Sequence, residues 1–208
     1  GATCNPWNTA YSTGGSSGGS SALVAAGVIP IAHANDGAGS IRIPASCCGL
    51  VGLKASRGRI KDKEVPGYLP ANILHDGVVT RSVRDTWAFH AEIEKNIPAT
   101  EFPPIGDISE SFPKNLKIAV LTENCLGENS SAELVQATHD VARLCESLGH
   151  EVEMISNPFY KKFDEDFWLL WAHFGFLIRY SVEIYFSTMS PSEICPCPAT
   201  IILGSIFL

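Results

Sequence analysis

The sequence lacks an excess of basic residues and lacks any long apolar run. Its 208 residues include 15 Lys and Arg against 22 Asp and Glu, which gives a formal net charge of −7. Proteins that bind the phosphate backbone need a broad positive surface, so this charge balance argues against nucleic acid as a partner. A membrane span needs about 18 or more consecutive apolar residues, and no such stretch is present. The sequence therefore predicts neither a nucleic-acid partner nor a membrane partner.

Regular cysteine spacing is also missing. The seven cysteines form an odd set without a repeated interval, which is not the pattern of a disulfide framework. No charged segment followed by a short apolar one, the signature of a secretory signal, precedes the Gly-rich start of the chain. We therefore expect a cytoplasmic protein. Because the chain opens on Gly1 and closes on an apolar run, we also expect an internal fragment of a longer protein.

We expect an α/β fold, with a mixed sheet flanked by helices and incomplete at both ends. Hydrophobic periodicity supports the alternation of strands and helices in this fold class. Residues 21–27 have the pattern of a short buried helix that ends at a glycine, and residues 28–34 that of a strand. Residues 82–95 predict a helix capped by Ser82.

A βαβ unit is predicted in the second half of the chain, over residues 116–155. Its first strand is followed by a helix in which Ser130 and Glu133 have the spacing of a capping box. Apolar residues then recur at helical spacing as far as Gly149, and a second strand follows. Strand, helix and strand at these lengths favour a parallel pair with a right-handed crossover.

We interpret residues 1–208 as a single partial domain. Its core is the Gly-rich segment 1–95, to which the βαβ unit 116–155 is added. Residues 181–208 carry a Pro, Cys and Ser run before an apolar end, and we have no physical account of them.

The Gly/Ser block at residues 14–21 invites two nucleotide-binding interpretations, and both fail. A P-loop needs a lysine to reach the terminal phosphates, and Ser20 stands in its place. A Rossmann fingerprint that begins at Gly37 would need a third glycine where Arg42 stands.

A nucleophile elbow, Gly-x-Ser-x-Gly, is matched twice, around Ser16 and around Ser17. An elbow must follow a buried strand, and residues 5–13 are polar and turn-like instead. A flexible linker would not run directly into a buried helix and a second Gly-rich loop ending in serine. The pairing of the two Gly-rich segments therefore favours a functional site.

Three linked blocks of the sequence resemble the amidase signature family. They are residues 14–20 (Gly-Gly-Ser-Ser-Gly-Gly-Ser), 36–44 (Asp-Gly-Ala-Gly-Ser-Ile-Arg-Ile-Pro) and 48–54 (Cys-Gly-Leu-Val-Gly-Leu-Lys), in the family's order and spacing. Residues 5–8 and 76–85 are similar to the family's flanking segments. The resemblance implies an amide hydrolase that acts on a small-molecule amide without a metal or organic cofactor. Within the family, the likeness is to hydrolases of cyclic amide oligomers.

The resemblance also implies which residues carry the chemistry. The family uses a Ser–Ser–Lys relay, in which Ser40 matches the nucleophile and Ser16 matches the bridging serine. Gly37, Ala38 and Gly39 match the segment whose backbone N–H groups face the developing oxyanion. The family usually has glycine where Ala38 stands. Since only the N–H is used, we expect little consequence unless that residue needs a positive φ.

In the family, the bridging serine follows a cis peptide bond. The resemblance therefore implies a cis bond between Gly15 and Ser16. It also implies that the Ser16 and Ser40 hydroxyl oxygens lie within about 3–3.5 Å of each other, or slightly farther apart without a ligand.

The lysine of the relay is not found in this sequence. The family places it upstream of the Gly/Ser block, and no lysine precedes Lys54. Lys54 itself matches a structural Gly-Leu-Lys position, so the relay is incomplete within this chain. Two alternatives stay open. One is the amidase-like component of a glutamyl-tRNA amidotransferase, which shares these blocks and passes ammonia to a partner, and the other is a non-catalytic fragment.

A Ser-His-Asp triad is the other catalytic pattern that the sequence offers. His33 lies three residues before Asp36, close to Ser40 along the chain. We favour the simpler interpretation, in which His33 stands at a loop edge in an ordinary hydrogen bond.

Overall fold

A computed structural model of the chain describes residues 3–56, 58–60, 73–96, 102–104, 114–124, 126–160 and 162–188, with side chains through residue 176. The described residues fall into two compact units, one up to residue 104 and the other from residue 114 onward. Most of the Pro-rich segment 97–115 and the part of the predicted tail beyond residue 188 lie outside the described residues. The assignment of 1–208 to a single domain stays a prediction.

The first unit alternates short strands with helices. Its elements are β1 (Cys4–Asn5), β2 (Asn8–Ser12), α1 (Gly18–Ala25), β3 (Ile31–Asn35), α2 (Arg42–Cys47), β4 (Val51–Gly52), β5 (Asp76–Thr80) and α3 (Val83–Asn96). Strands β1 and β2 form an antiparallel hairpin, and β3, β5 and β4 form an antiparallel sheet in that order. The Gly/Ser block therefore leads into α1, and the Asp36–Ser40 loop follows β3.

Small and β-branched side chains form the core of this unit. Val24 from α1, Ala34 from β3 and Val79 from β5 are almost fully buried, together with Ile41 and Ala45. The last two bring α2 onto the same core. Because Ile41 directly follows Ser40, its burial fixes the chain at the point where the predicted nucleophile leaves the loop.

The helix boundaries show how the Gly/Ser block is used. Helix α1 begins at Gly18, three residues earlier than the periodicity predicts, because the block itself enters the helix. A Cβ on Gly18 would lie 2.5 Å from Thr13 Oγ1, so this close approach requires glycine. Gly27, with a φ of +75°, ends the segment as predicted. The Ser82 cap of α3 is confirmed, since Asp85 N–H donates to Ser82 Oγ at 3.1 Å.

The second unit contains the predicted βαβ arrangement. It comprises β6 (Lys117–Val120), α4 (Ala132–Ser147), β7 (Glu151–Met154) and α5 (Phe163–Thr188), with β6 and β7 parallel. The predicted capping box is wrong by one residue. Ser130 N–H donates to Thr122 O at 3.0 Å and stays in the loop, so Ser131 becomes the N-cap. The predicted α/β class is confirmed.

Aromatic side chains follow one another along α5. The rings of Phe163, Phe167 and Trp171 stack in sequence, with centroid separations of 6.5 and 6.0 Å. Trp168 lies on a more exposed face of the same helix. In the described part of the chain, no helix is both long enough and apolar enough to cross a membrane.

Substitutions at two glycines test this packing. A Cβ on Gly52 would lie 2.6 Å from Ala45 Cβ, so Gly52→Ala must push β4 away from α2. We expect the free energy of unfolding to fall by about 1–3 kcal/mol. A Cβ on Gly19 would have no neighbour within 4 Å. The matched substitution Gly19→Ala in α1 should therefore raise the free energy of unfolding by about 0.4–1 kcal/mol. Equilibrium urea denaturation measures both, and equal shifts would contradict this account of the packing.

Candidate active site

The two Gly-rich loops lie side by side. Ser17 N–H donates to the backbone carbonyl of Ser40 at 3.3 Å, which joins the Gly/Ser block directly to the predicted nucleophile. The Ser17 hydroxyl lies 3.3 Å from both the backbone N and the backbone O of Asn35, the last residue of β3. Backbone contacts therefore bring together two segments that are distant along the chain, as the resemblance implied.

The structure distinguishes the two serines of the block. The Ser17 hydroxyl is engaged with backbone, whereas Ser16 is exposed. The peptide bond between Gly15 and Ser16 is cis, as predicted. Among the residues that the structure describes, neither the Ser16 nor the Ser40 hydroxyl makes a hydrogen bond. The two hydroxyls are therefore not hydrogen-bonded to each other, and their predicted separation stays a prediction.

A buried carboxylate organises the loop that carries Ser40. Asp36 has no solvent-exposed surface, and it accepts hydrogen bonds from Gly39 N–H at 2.6 Å and Ile41 N–H at 3.3 Å. The Arg42 guanidinium binds both carboxylate oxygens, with Nε at 2.9 Å and Nη2 at 3.1 Å. Residues on both sides of Ser40 thus point their donors at one acceptor, and the chain must curl around it.

These donors set the charge state of the carboxylate. Burial acts to raise the pKa of Asp36, but the Arg42 hydrogen bonds, the Gly39 N–H and the charges of Arg42 and Lys54 outweigh it and hold the pKa well below its ordinary value. The carboxylate in turn raises the pKa of Arg42. Asp36 is therefore a fixed negative charge at neutral pH and has no proton to give in a reaction.

The predicted oxyanion segment divides into two parts. Gly39 N–H donates to the Asp36 carboxylate, so it points into the loop and already has a partner. In the described part of the chain, the Gly37 and Ala38 N–H groups have no hydrogen-bond partner. Gly39 has a φ of +125°, which requires glycine, but Ala38 has no positive φ. Alanine therefore fits at position 38 without backbone strain, as expected.

Lys54 is a structural cation. Its ammonium nitrogen lies 2.6 Å from Asp36 O, 2.9 Å from Gly37 O and 3.0 Å from Ile73 O, and 3.4 Å from an Asp36 carboxylate oxygen. An ammonium group has three protons, and three carbonyls accept them. Since a general base needs a free lone pair, Lys54 in this arrangement cannot accept a proton from serine. The prediction that it occupies a structural position agrees with these contacts.

The histidines do not build a triad. His33 is mostly exposed and pairs with Asp76 at 3.2 Å, not with Asp36. This confirms the ordinary hydrogen bond of the simpler interpretation, but the expected loop-edge position is wrong, because His33 lies in the middle of β3. His75 is fully buried and exchanges two backbone hydrogen bonds with Asp36, at 2.8 and 3.1 Å. These bonds extend the pairing of β3 with β5 by one step and place the Asp36 side chain.

Two contributions to the site were not predicted from the sequence. The first is the pairing of Asp36 with Arg42, whose only signal is an acidic residue and an arginine flanking a Gly-rich loop. The second is His75, which pairs with Asp36 through its backbone and accepts a hydrogen bond from Ala55 N–H at its ring Nε2, at 3.3 Å. In the described part of the chain, no cluster of three or more His, Cys, Asp or Glu side chains could hold a metal ion.

A groove in the first unit lies away from this site. It is lined by Pro30 and Ile31 at the start of β3 and by α3 residues that include Phe89. Ser40 follows the other end of β3, so the groove and the serines are separated by the length of the strand.

Comparison with known proteins identifies relatives over most of the chain. The profile of the Amidase family matches residues 1–194. The "Putative amidase AmiC" of Mycobacterium tuberculosis is 48% identical over 195 residues, which is 91% of this chain and 40% of that protein. The 6-aminohexanoate-cyclic-dimer hydrolase of Paenarthrobacter ureafaciens is 45% identical over 166 residues, which is 73% of this chain and 33% of that protein.

Solved structures give the same result for the fold. A bacterial aryl acylamidase of the amidase signature family superposes with a TM-score of 0.74 at 27% identity, over 99% of this chain and 44% of that one. A 6-aminohexanoate cyclic dimer hydrolase complexed with substrate superposes with a TM-score of 0.65 at 40% identity, over 74% of this chain and 34% of that one. The chain spans about 40% of the length of the AmiC relatives that it matches.

The Asp36 carboxylate predicts a pH-dependent stability. A folded pKa below the ordinary value of 3.8 means that the carboxylate stabilises the fold above that pH and loses this effect as the pH falls further. We expect Asp36→Asn to lower the free energy of unfolding by about 3 kcal/mol at pH 7, because Arg42 and Lys54 lose their partner. The difference in free energy of unfolding between Asp36→Asn and the unsubstituted protein should shrink below pH 4. Denaturation curves at several pH values measure it, and a difference that stays constant down to pH 2 would count against this role.

Proposed function

The chain belongs to the amidase signature family, and from that membership we propose that the protein containing it hydrolyses a carboxylic amide, linear or cyclic, through an acyl-enzyme on Ser40. The observation that carries the proposal is the junction at Ser17, whose N–H bonds to the Ser40 carbonyl at 3.3 Å. The junction supports the proposal because it joins the residue after the exposed Ser16 to the half-buried Ser40.

The reaction proceeds in two steps. In the first, Ser40 Oγ attacks the amide carbonyl carbon, and its proton passes to Ser16 while the Ser16 proton passes to a lysine base. The C–N bond then breaks, and the relay returns a proton to the leaving nitrogen. In the second step, a water molecule attacks the acyl ester on Ser40, which releases the carboxylic acid and restores the serine.

Backbone donors stabilise the negative charge on the carbonyl oxygen. We assign this role to the N–H groups of Gly37 and Ala38, because the Gly39 N–H already donates to Asp36. Asp36 contributes indirectly, since its hydrogen bonds to Gly39, Ile41 and Arg42 hold the loop in shape before substrate arrives. Preorganised donors of this kind need no rearrangement during the reaction, which is the source of their catalytic value.

The lysine base belongs upstream of the Gly/Ser block in the complete protein. Lys54 does not fill the role, because its three protons are donated to the carbonyls of Asp36, Gly37 and Ile73. For the substrate, we favour a cyclic or short linear amide. This preference is supported by the 45% identity with a 6-aminohexanoate-cyclic-dimer hydrolase.

Substitution of the two serines tests their roles in the complete protein. Ser40→Ala removes the covalent route and should abolish turnover. Ser16→Ala removes a proton bridge that water can partly replace, so we expect kcat to fall by about 10²–10⁴-fold. The matched control is Ser46→Ala, on the exposed side of α2, which should keep wild-type rates.

Mass spectrometry after treatment with a fluorophosphonate identifies the nucleophile directly. The adduct is expected on the peptide that contains Ser40. An adduct on Ser16 would exchange the two roles. The amidotransferase alternative would instead be favoured if the protein delivered ammonia to a partner and did not hydrolyse a free amide.

The isolated chain tests the assignment of Lys54. We expect the purified 208-residue chain to show no amide turnover, because the ammonium of Lys54 is fully engaged with carbonyls. Turnover by this chain that is abolished by Ser40→Ala would show that the chain contains its own base and would overturn the argument. An assay of ammonia or amine release from a small amide measures it.

A further inference from the structure

One side chain touches both serine-bearing loops. A Cβ on Gly14, in the Gly/Ser block, would lie 2.9 Å from Ile43 Cγ2. A Cβ on Gly39, next to Ser40, would lie 2.6 Å from Ile43 Cδ1 and 3.0 Å from its Cγ1. The two branches of Ile43 are thus divided between the loops, with Cγ2 against the first and the Cγ1–Cδ1 arm against the second.

The backbone fixes where these branches point. Ile43 lies in the first turn of α2, and its N–H donates to Gly39 O at 2.7 Å. Its side chain is 49% exposed, so it is not a member of the buried core. An isoleucine is stiff at χ1, which makes its two branches a rigid spacer.

Gly14 and Gly39 are required to be glycine for the same reason. Gly14 has a φ of +71° and Gly39 a φ of +125°, and each presents its bare Cα face to Ile43. A side chain at either position would collide with Ile43 as well as strain the backbone. At Gly14 and Gly39 the Ile43 side chain therefore lies between the two loops, with Cys47 Sγ as a further neighbour, 3.2 Å from a Cβ on Gly14.

We propose that Ile43 is a positioning residue that sets the separation between the Ser16 loop and the Ser40 loop. The inference rests on the proposed function, because that separation matters to the reaction when a proton passes between the two serines. Proton transfer and nucleophilic attack depend steeply on geometry, and a displacement of about 1 Å can cost 10²-fold in rate. The hydrocarbon side chain of Ile43 has no group that can exchange a proton, so its effect on the two serines is exerted through Gly14 and Gly39.

Substitutions at position 43 separate the two contacts. Ile43→Val keeps both branches at Cβ but lacks Cδ1, so it relaxes the Gly39 side. Ile43→Leu lacks the Cγ2 branch and relaxes the Gly14 side. Ile43→Ala removes both. The matched control is Ile31→Val, the same chemical change on a similarly accessible side chain (37% exposed) at the far end of β3.

Three measurements on the complete protein test the proposal. We expect kcat to fall by about 10–100-fold in Ile43→Ala and several-fold in Ile43→Val, with KM changed by less than about 3-fold. The thermal midpoint of Ile43→Val should match that of Ile31→Val, which keeps wild-type kcat. Backbone amide NMR shifts should change at Gly39 and Ser40 in Ile43→Val, and at Gly14 to Ser16 in Ile43→Leu.

The outcomes distinguish the inference from the proposed function. An unchanged kcat in Ile43→Ala, or NMR changes without the division between the two loops, overturns the spacer role. If Ile43→Val and Ile31→Val both lose kcat, and both have a lower thermal midpoint, the spacer role is also overturned. If the wild-type protein neither turns over an amide nor forms a Ser40 adduct, the proposed function fails. The NMR division between Ile43→Val and Ile43→Leu still decides whether Ile43 spaces the loops.

Discussion

The Asp36 carboxylate is the point around which the site is built. It is fully buried, and it would be costly to place there without compensation, because a charge in a protein interior loses its hydration. The compensation comes from Gly39 N–H, Ile41 N–H and the Arg42 guanidinium, which together enclose Ser40 between bound residues. The Ser40 loop has its shape because a buried anion needs hydrogen-bond donors, and the loop supplies them.

Lys54 completes this arrangement from the other side. The same ammonium that lies 3.4 Å from the carboxylate also binds the carbonyls of Asp36 and Gly37, so one cation satisfies both the charge and the backbone of the loop. A guanidinium carries its donors in a flat fork, and that geometry does not converge on a set of carbonyls in the same way. The contacts that Lys54 makes with the loop thus account for a lysine at this position.

The sequence predicted the parts of the fold that depend on periodicity and on glycine. The βαβ unit, the Ser82 cap and the stop at Gly27 follow from local patterns, and the structure has all three. The start of α1 was misplaced because glycines rarely begin a helix by propensity, and here the close approach of Thr13 to Gly18 requires one. Local sequence patterns do not predict a contact that is made by a distant residue.

For the site, the motif resemblance located both serine loops, but it could not give the partners of individual atoms. The division of the oxyanion segment depends on the direction of the Gly39 N–H, which is set by a carboxylate three residues away. The pairing of His75 with Asp36 is made by backbone atoms, which every residue type shares. Ile43 acts by the shape of its side chain between two glycines, and its place in the sequence indicates only a half-exposed apolar residue on a helix.

Helix α2 is held at both of its ends. At the start, Arg42 is bound to Asp36, and at the finish the Asn5 side chain donates to Cys47 O at 2.7 Å while the Trp7 indole donates to Cys48 O at 2.8 Å. Each added residue in an α-helix advances the chain by about 1.5 Å and turns it by about 100°. An insertion or deletion inside α2 would therefore break the hydrogen bonds at one of its ends. The hydrogen bonds at its two ends therefore fix the length of this six-residue helix, and the hairpin at the beginning of the chain supplies those at the C-terminal end.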